Sequence, residues 1–89
     1  MMASAIRLRV LTDAGLVLED EAVSVIAPGE RGYVGFLRAH APLVTTLRAG
    51  TLWWRTPAGE SRTAGIGEGL LEISHNRLTV LTDRVEKTA

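Results

Sequence analysis

Few side chains in this sequence could carry chemistry, and they are scattered. Neither of the two histidines, His40 and His75, falls in an H-x-H or H-E-x-x-H spacing, so a metal site would need acids recruited from separate loops. Ser24, Ser61 and Ser74 with Asp13, Asp20 or Asp83 could nominally complete a triad. No serine stands in the G-x-S-x-G context that exposes a nucleophile, and Ser74 and His75 are chain neighbours rather than a pair brought together by folding. Asp20, Glu21 and Glu30 supply carboxylates without any sign of a cleft that would tune them. The run Gly65-Ile66-Gly67-Glu68-Gly69 comes closest to a phosphate loop, but a dinucleotide fingerprint needs a glycine where Leu70 stands, and no Gly-Lys-Ser/Thr triplet follows. It reads as a bulge or bend leading into a strand. The residues therefore predict no catalytic, cofactor-binding or metal site.

The elements that would position any site have a period of two. Ile6, Leu8 and Val10 alternate with Arg7 and Arg9, Asp13-Ala14-Gly15 makes a turn, and Leu16–Glu19 returns. Ala22–Ala27 is apolar on both faces, as in a strand between two layers. Pro28-Gly29-Glu30-Arg31-Gly32 reads as a loop. Strands are predicted at Tyr33–Leu37, Leu43–Leu47 and Thr51–Thr56, with Pro57-Ala58-Gly59-Glu60 as a hairpin turn into Ser61–Ile66. Leu71 and Ile73 lead through a His75-Asn76 turn to Leu78–Leu81, and Asp83 could cap a short helix over Asp83–Thr88. Nine to ten short strands in one small chain predict an all-β fold, a two-sheet antiparallel β-sandwich or flattened barrel, as a single domain over residues 1–89.

Composition narrows the function classes. The 89 residues carry 10 Lys+Arg and 10 Asp+Glu, a formal net charge of zero. That balance argues against a nucleic-acid binder and against a polybasic membrane patch. With no cysteine there is no disulfide scaffold and no thiolate site. Met1–Arg7 lacks the basic start and apolar stretch of a secretion signal, and no apolar run approaches a bilayer span, so no direct membrane insertion is expected.

The strongest pointers are to an interaction surface. In a strand, Trp53 and Trp54 must face opposite sides, so one ring fills the core and the other lies outside. The outer ring either covers a neighbouring strand or meets a partner. Tyr33 and Phe36, of opposite parity in one strand, raise the same question. His40, in Arg38-Ala39-His40-Ala41-Pro42, is either a loop histidine bonded to nearby backbone or a partner contact.

The stretch from Ala27-Pro28-Gly29-Glu30-Arg31-Gly32-Tyr33-Val34-Gly35-Phe36-Leu37 through His40-Ala41-Pro42-Leu43-Val44-Thr45-Thr46-Leu47 to Gly50 resembles the epsilon subunit of F-type ATP synthases. Gly67-Glu68-Gly69-Leu70-Leu71-Glu72-Ile73 and Asn76-Arg77-Leu78-Thr79-Val80-Leu81-Thr82-Asp83 match a second block of that family, and Leu8–Thr12 and Leu18–Val25 fit as well. Several blocks in the right order across nearly the whole chain are more specific than any one motif.

The resemblance implies a ten-stranded β-sandwich and a non-catalytic central-stalk subunit, without cofactor, that binds the gamma subunit and the c-ring and couples ion translocation to ATP synthesis or hydrolysis. It implies a peripheral position on the cytoplasmic face of the cell membrane. Carried over by motif, Glu30, Arg31 and Tyr33 match the segment that approaches the ring, and His40, Pro42 and Leu43 the segment near gamma and the ring. Tyr33 stands where the family often has an acid, and Arg38 where it often has proline, so a specific ion pair with the ring is not carried over. The family's C-terminal helical hairpin has no counterpart after Asp83, and neither inhibition of hydrolysis nor ATP sensing is assigned. The alternatives are a free-standing small β-barrel that binds a ligand and an adaptor unrelated to a synthase.

Overall fold

The computed structural model describes residues 5–87. The readings made on Met1–Ser4 and on Thr88 lie outside them. Ten strands form in chain order: β1 Ile6–Thr12, β2 Gly15–Ala22, β3 Ser24–Gly29, β4 Gly32–Leu37, β5 Leu43–Leu47, β6 Gly50–Arg55, β7 Ser61–Ile66, β8 Gly69–Ser74, β9 Arg77–Thr82 and β10 Val85–Lys87. They join in one continuous sheet, β10-β7-β6-β3-β5-β8-β9-β1-β2, with β4 on the other edge of β3. Among the described residues, the only strand pairing that joins its halves is β3 to β5, at Gly29–Leu47. One layer is therefore β10-β7-β6-β3-β4 and the other β5-β8-β9-β1-β2.

Four chain segments cross between layers with one or two residues outside a strand: Val23, Arg48-Ala49, Gly67-Glu68 and Asp83-Arg84. Strands that switch sheets at sharp corners are how a single sheet folds over its own core. The last three corners lie side by side, since β6–β7 and β5–β8 pairing brackets the first two and β7–β10 and β8–β9 pairing brackets the last two. Gly67 N donates to Arg84 O at 3.1 Å, and Thr82 Oγ1 donates to Glu68 O at 3.0 Å. Gly69 is required by the approach of backbone, whereas a side chain at Gly67 would have to displace the Asp83 carboxylate. A Cβ on Gly69 would stand 1.8 Å from the Leu81 carbonyl oxygen, and one on Gly67 1.8 Å from Asp83 Oδ1. The glycine-rich run is thus a corner, as its reading as a bend anticipated.

The core is filled chiefly by alternate residues of β1, β3, β6, β7, β8 and β9, and the side chains Ile6, Leu8, Val10, Val25, Phe36, Leu52, Leu71, Ile73, Leu78 and Val80 are all essentially without exposure. Such close packing has low compressibility.

Several sequence expectations change. Pairing is antiparallel except between β1 and β9, which run parallel. The Ala22–Ala27 strand shifts to Ser24–Gly29, with Ala22 closing β2 and Val23 at the corner, and Ile26 is exposed rather than between layers. The Pro28–Gly32 loop shrinks to the two-residue turn Glu30-Arg31, because Pro28 and Gly29 belong to β3 and Gly32 to β4. Proline is tolerated because its missing N–H points where the β3–β6 ladder has ended at Ile26, while its carbonyl accepts from Arg48 N at 2.9 Å. The helix expected from Asp83 is instead β10, whose backbone completes the open edge of β7 through Val85–Ile66, Glu86–Gly65 and Lys87–Ala64. Val85 packs against the core. The turn at His75-Asn76 has φ of 53° and 60°, the double left-handed geometry that suits the twist of a two-residue hairpin.

Candidate interaction surface

The six residues expected at a partner interface fall into two groups at opposite ends of β4. Glu30 and Arg31 are the tip of the β3–β4 hairpin, and Tyr33 is the second residue of β4. His40 and Pro42 lie in the segment after β4, and Leu43 opens β5. A six-residue strand separates the groups, roughly 20 Å at strand rise. The fold does not bring them together; β4 connects them along one side of the molecule.

Each group is held differently. Thr46 Oγ1 donates to Glu30 Oε1 at 3.0 Å, tying the hairpin tip to β5. The segment over residues 38–42 is pinned by Ala39, whose N donates to Asn76 Oδ1 at 2.7 Å with φ at 63°, a left-handed backbone uncommon for alanine. His40 packs its ring against buried Phe36 with centroids 5.0 Å apart, and its Nδ1 lies 2.7 Å from the Ala41 carbonyl. A carbonyl cannot donate, so Nδ1 carries the proton in this bond. His40 thus shows the backbone-bonded geometry, and its ring closes the end of the core.

The side of the molecule between the two groups is apolar. Register places Pro28 opposite Tyr33, Ile26 opposite Gly35 and Ser24 opposite Leu37, with Trp53 of β6 opposite Ile26. These residues share the outer face of the layer. Trp54 is buried at 6% exposure and Trp53 is outside at 50%, as the alternation of a strand requires. Tyr33, at 60%, stacks on Trp53 with centroids 6.4 Å apart and planes at 28°. Its ring is seated over Gly50, where a Cβ would come 3.3 Å from the Tyr33 hydroxyl and 2.9 Å from Pro28 Cβ. Leu37 is 65% exposed. Sequence reasoning found Tyr33 and the tryptophan pair but missed Ile26 and Leu37. The parity of Leu37 with Tyr33 was legible within one strand, but neither the pairing of Ile26 with Trp53 nor which layer face was left open.

The outer face of the other layer carries a row of leucines in register: Leu16 opposite Leu11, Leu11 beside Leu81, and Leu81 opposite Leu70. No sequence signal singled these out, because they belong to four different strands.

The most connected polar cluster is structural. Asp20, on β2 of one layer, accepts from Trp54 Nε1 at 2.9 Å and from Arg62 Nη1 at 2.8 Å, both from the other layer. Arg62 also pairs with Glu60. Burial pushes the Asp20 carboxyl up, but the bonds from Trp54, the Glu21 amide and Arg62 outweigh it and hold the group below its ordinary range. The hydrogen bond to Glu60 and the charge of Asp20 hold Arg62 above its own. The cluster clasps the two layers at their open edge. Ser74 Oγ and His75 Nδ1 lie 2.8 Å apart at the exposed β8–β9 turn. Among the described residues no three His, Asp or Glu side chains converge as a metal site would require.

Residues 5–88 match the family model described as ATP synthase, Delta/Epsilon chain, beta-sandwich domain. The ATP synthase epsilon chain of Moorella thermoacetica is 36% identical over 85 residues, covering 96% of this chain and 63% of that protein. The epsilon chain of Desulforamulus reducens is 37% identical over 86 residues, covering 97% and 64%. The chain thus spans somewhat under two thirds of the length of these relatives. Among solved structures, a chain of the Euglena gracilis mitochondrial ATP synthase, in its OSCP/F1/c-ring assembly, superposes with a TM-score of 0.89 at 17% identity, covering 98% of this chain and 56% of that one. A chain of the Tetrahymena thermophila mitochondrial ATP synthase central stalk/c-ring matches at 0.75 and 11% identity, covering 91% and 65%. At those identities the likeness is one of fold.

Proposed function

Because the chain belongs to the ATP synthase delta/epsilon β-sandwich family, we propose that it is a non-catalytic central-stalk subunit of a rotary ATP synthase. It binds the gamma subunit and the c-ring and couples ion translocation to ATP synthesis or hydrolysis. Its place is peripheral, at the cytoplasmic face of the cell membrane, as part of the synthase.

The observation that carries this reading is the uncovered apolar side of the β4 layer: Ile26, Tyr33, Leu37 and Trp53 together on one outer face, with no convergent chemistry elsewhere among the described residues. Contiguous exposed apolar surface marks an interaction site. The face runs between the two groups of interface residues, so one partner lying along β4 reaches Tyr33 at one end and His40, Pro42 and Leu43 at the other. In this arrangement Glu30 and Arg31 project from the hairpin tip, and none of the ion pairs among the described residues uses either. We assign the Glu30-Arg31 tip to the c-ring and the β4 side to gamma; Tyr33, whose motif matches the ring segment, is reassigned to the β4 side because its ring stacks on Trp53 of the outer face. A stiff, closely packed body suits torque transfer, since a compliant one would absorb the rotation.

Reconstitution with the gamma subunit of the same synthase tests this. The wild-type chain is expected to co-elute with gamma, and a Tyr33→Ser, Leu37→Ser double variant to stay folded but elute alone. Folded wild-type chain that shows no affinity for gamma would refute the assignment.

A further inference from the structure

Ala39 and Asn76, 37 positions apart, are joined by a hydrogen bond from the Ala39 amide to Asn76 Oδ1 at 2.7 Å. Both residues are left-handed, with φ of 63° and 60°. At Asn76 that backbone belongs to the two-residue β8–β9 turn, and asparagine is one of the residues that adopt it readily. At Ala39 it brings Cβ up against the following carbonyl oxygen, a steric cost that alanine has no side-chain hydrogen bond to offset. Strained backbone of this kind persists only where its surroundings hold it, and it gathers at functional sites.

The β8–β9 turn itself does not need the Asn76 side chain. Glycine suits that turn position at least as well, and the tie between the turn and β1 runs through main chain, from Arg7 N to Asn76 O at 2.8 Å. The carboxamide acts outside its own hairpin, on the segment that carries the chain from β4 to β5 and from one layer to the other. Among the described residues, no turn or loop hydrogen bond between backbone groups is made by residues 39–42. Side chains and covalent geometry fix them instead. The Asn76 carboxamide holds Ala39, the His40 ring packs on Phe36, and His40 Nδ1 bonds the Ala41 carbonyl. Pro42 restricts its own φ and biases Ala41 towards extended backbone. Ala41, Pro42 and Leu43 are exposed, so the segment holds one shape at the surface without secondary structure of its own.

We propose that Asn76 is a positioning residue for the gamma contact: by holding Ala39 left-handed, its carboxamide presents His40, Ala41, Pro42 and Leu43 to gamma in a preformed shape. The partner rests on the proposed function; the clamp rests on the strained alanine and the bond that holds it. A segment ordered before binding loses less conformational freedom on association, and that difference appears as affinity. A backbone N–H only donates, so the group facing it must be an acceptor. Aspartate, which also tolerates the left-handed turn, can take the place of asparagine there, and glycine cannot.

Asn76→Gly and Asn76→Asp, compared with the wild type, test it by calorimetry with purified gamma, thermal unfolding and hydrogen exchange of the Ala39 amide. Asn76→Gly should keep the hairpin and lower the thermal midpoint by about 10 °C or less, the worth of one hydrogen bond in a chain of this size. Its Ala39 amide should exchange on the order of ten-fold faster, and its dissociation constant for gamma should rise on the order of ten-fold. Asn76→Asp should bring both back to within a few-fold of the wild type. Unchanged affinity of Asn76→Gly, with the wild type binding normally, would show that the shape need not be preformed and overturn the inference while the proposed function stands. An Ala39 amide that exchanges no faster in Asn76→Gly would show that the bond does not hold the segment, and also overturn it. So would an Asn76→Asp variant that recovers neither protection nor affinity. A midpoint low enough to unfold Asn76→Gly at the assay temperature would make Asn76 a general structural tie, against the inference. No gamma binding by the wild type would remove the proposed function and this positioning role with it.

Discussion

Replacing each of the adjacent tryptophans by alanine in turn should separate stability from assembly. Trp54 is 6% exposed, packs in the core and donates Nε1 to Asp20 at 2.9 Å. Truncating a large buried aromatic side chain to alanine costs about 3–5 kcal/mol. Domains have about 5–15 kcal/mol in all. At about 4–8 °C per kcal/mol for a chain of this size, Trp54→Ala should lower the thermal midpoint by roughly 12–40 °C. Trp53 is half exposed and loses much less. About half of a tryptophan's surface is roughly 100 Å², and at ~25 cal/mol per Å² its removal costs at most about 2.5 kcal/mol. Far-UV circular dichroism in urea is the assay, because each variant loses a fluorophore. Trp53→Ala should then weaken gamma binding on the order of ten-fold, while Trp54→Ala, at a temperature where it is folded, should bind nearly as the wild type. Equal destabilisation within about 0.5 kcal/mol, near the usual spread for surface substitutions, would refute the assignment of the two rings to opposite sides.

Two further outcomes follow from the geometry. Asp20 is held below its ordinary range in the fold, so its stabilising contribution is present above the unfolded value of about 3.9 and is lost as pH falls through the lower folded value. Asp20→Asn should lower the urea midpoint near neutral pH and flatten its fall below about pH 4; an unchanged acid limb would show that other carboxylates carry it. Gly69→Ala should cost about 3 kcal/mol or more, because the clashing atoms are Leu81 and Thr82 backbone rather than a movable side chain. Its urea midpoint should contrast with that of Gly35→Ala, which should not fall, because a Cβ there would meet nothing within 4 Å.

What could be read from the chain depended on how local the determinant was. The His75-Asn76 and Pro57–Glu60 turns, the alternation in β1 and the strand over Leu43–Leu47 are written in adjacent residues and folded as expected. The Pro28–Gly32 segment misled because proline and two glycines signal a loop locally, whereas the break in the β3–β6 ladder that makes room for Pro28 comes from a strand far along the chain. Asp83 misled for the same reason: a helix cap is local, while the open edge of β7 that captured Val85–Lys87 is not. Of the candidate surface, Tyr33 and one of the two tryptophans stood out by residue type. Ile26 and Leu37 did not, because which sheet face stays uncovered is decided by pairing between strands.

Residue order by itself determined the all-β class, the absence of a motif for catalysis and the family blocks, because side-chain period, turn chemistry and motif spacing are properties of neighbours along the chain. Only the folded sheet decided which tryptophan faces outward, that the six residues proposed for an interface divide between the two ends of β4, and that Gly35 faces open space. Those depend on register and on which layer face remains uncovered, and both are set by pairing between strands distant in sequence.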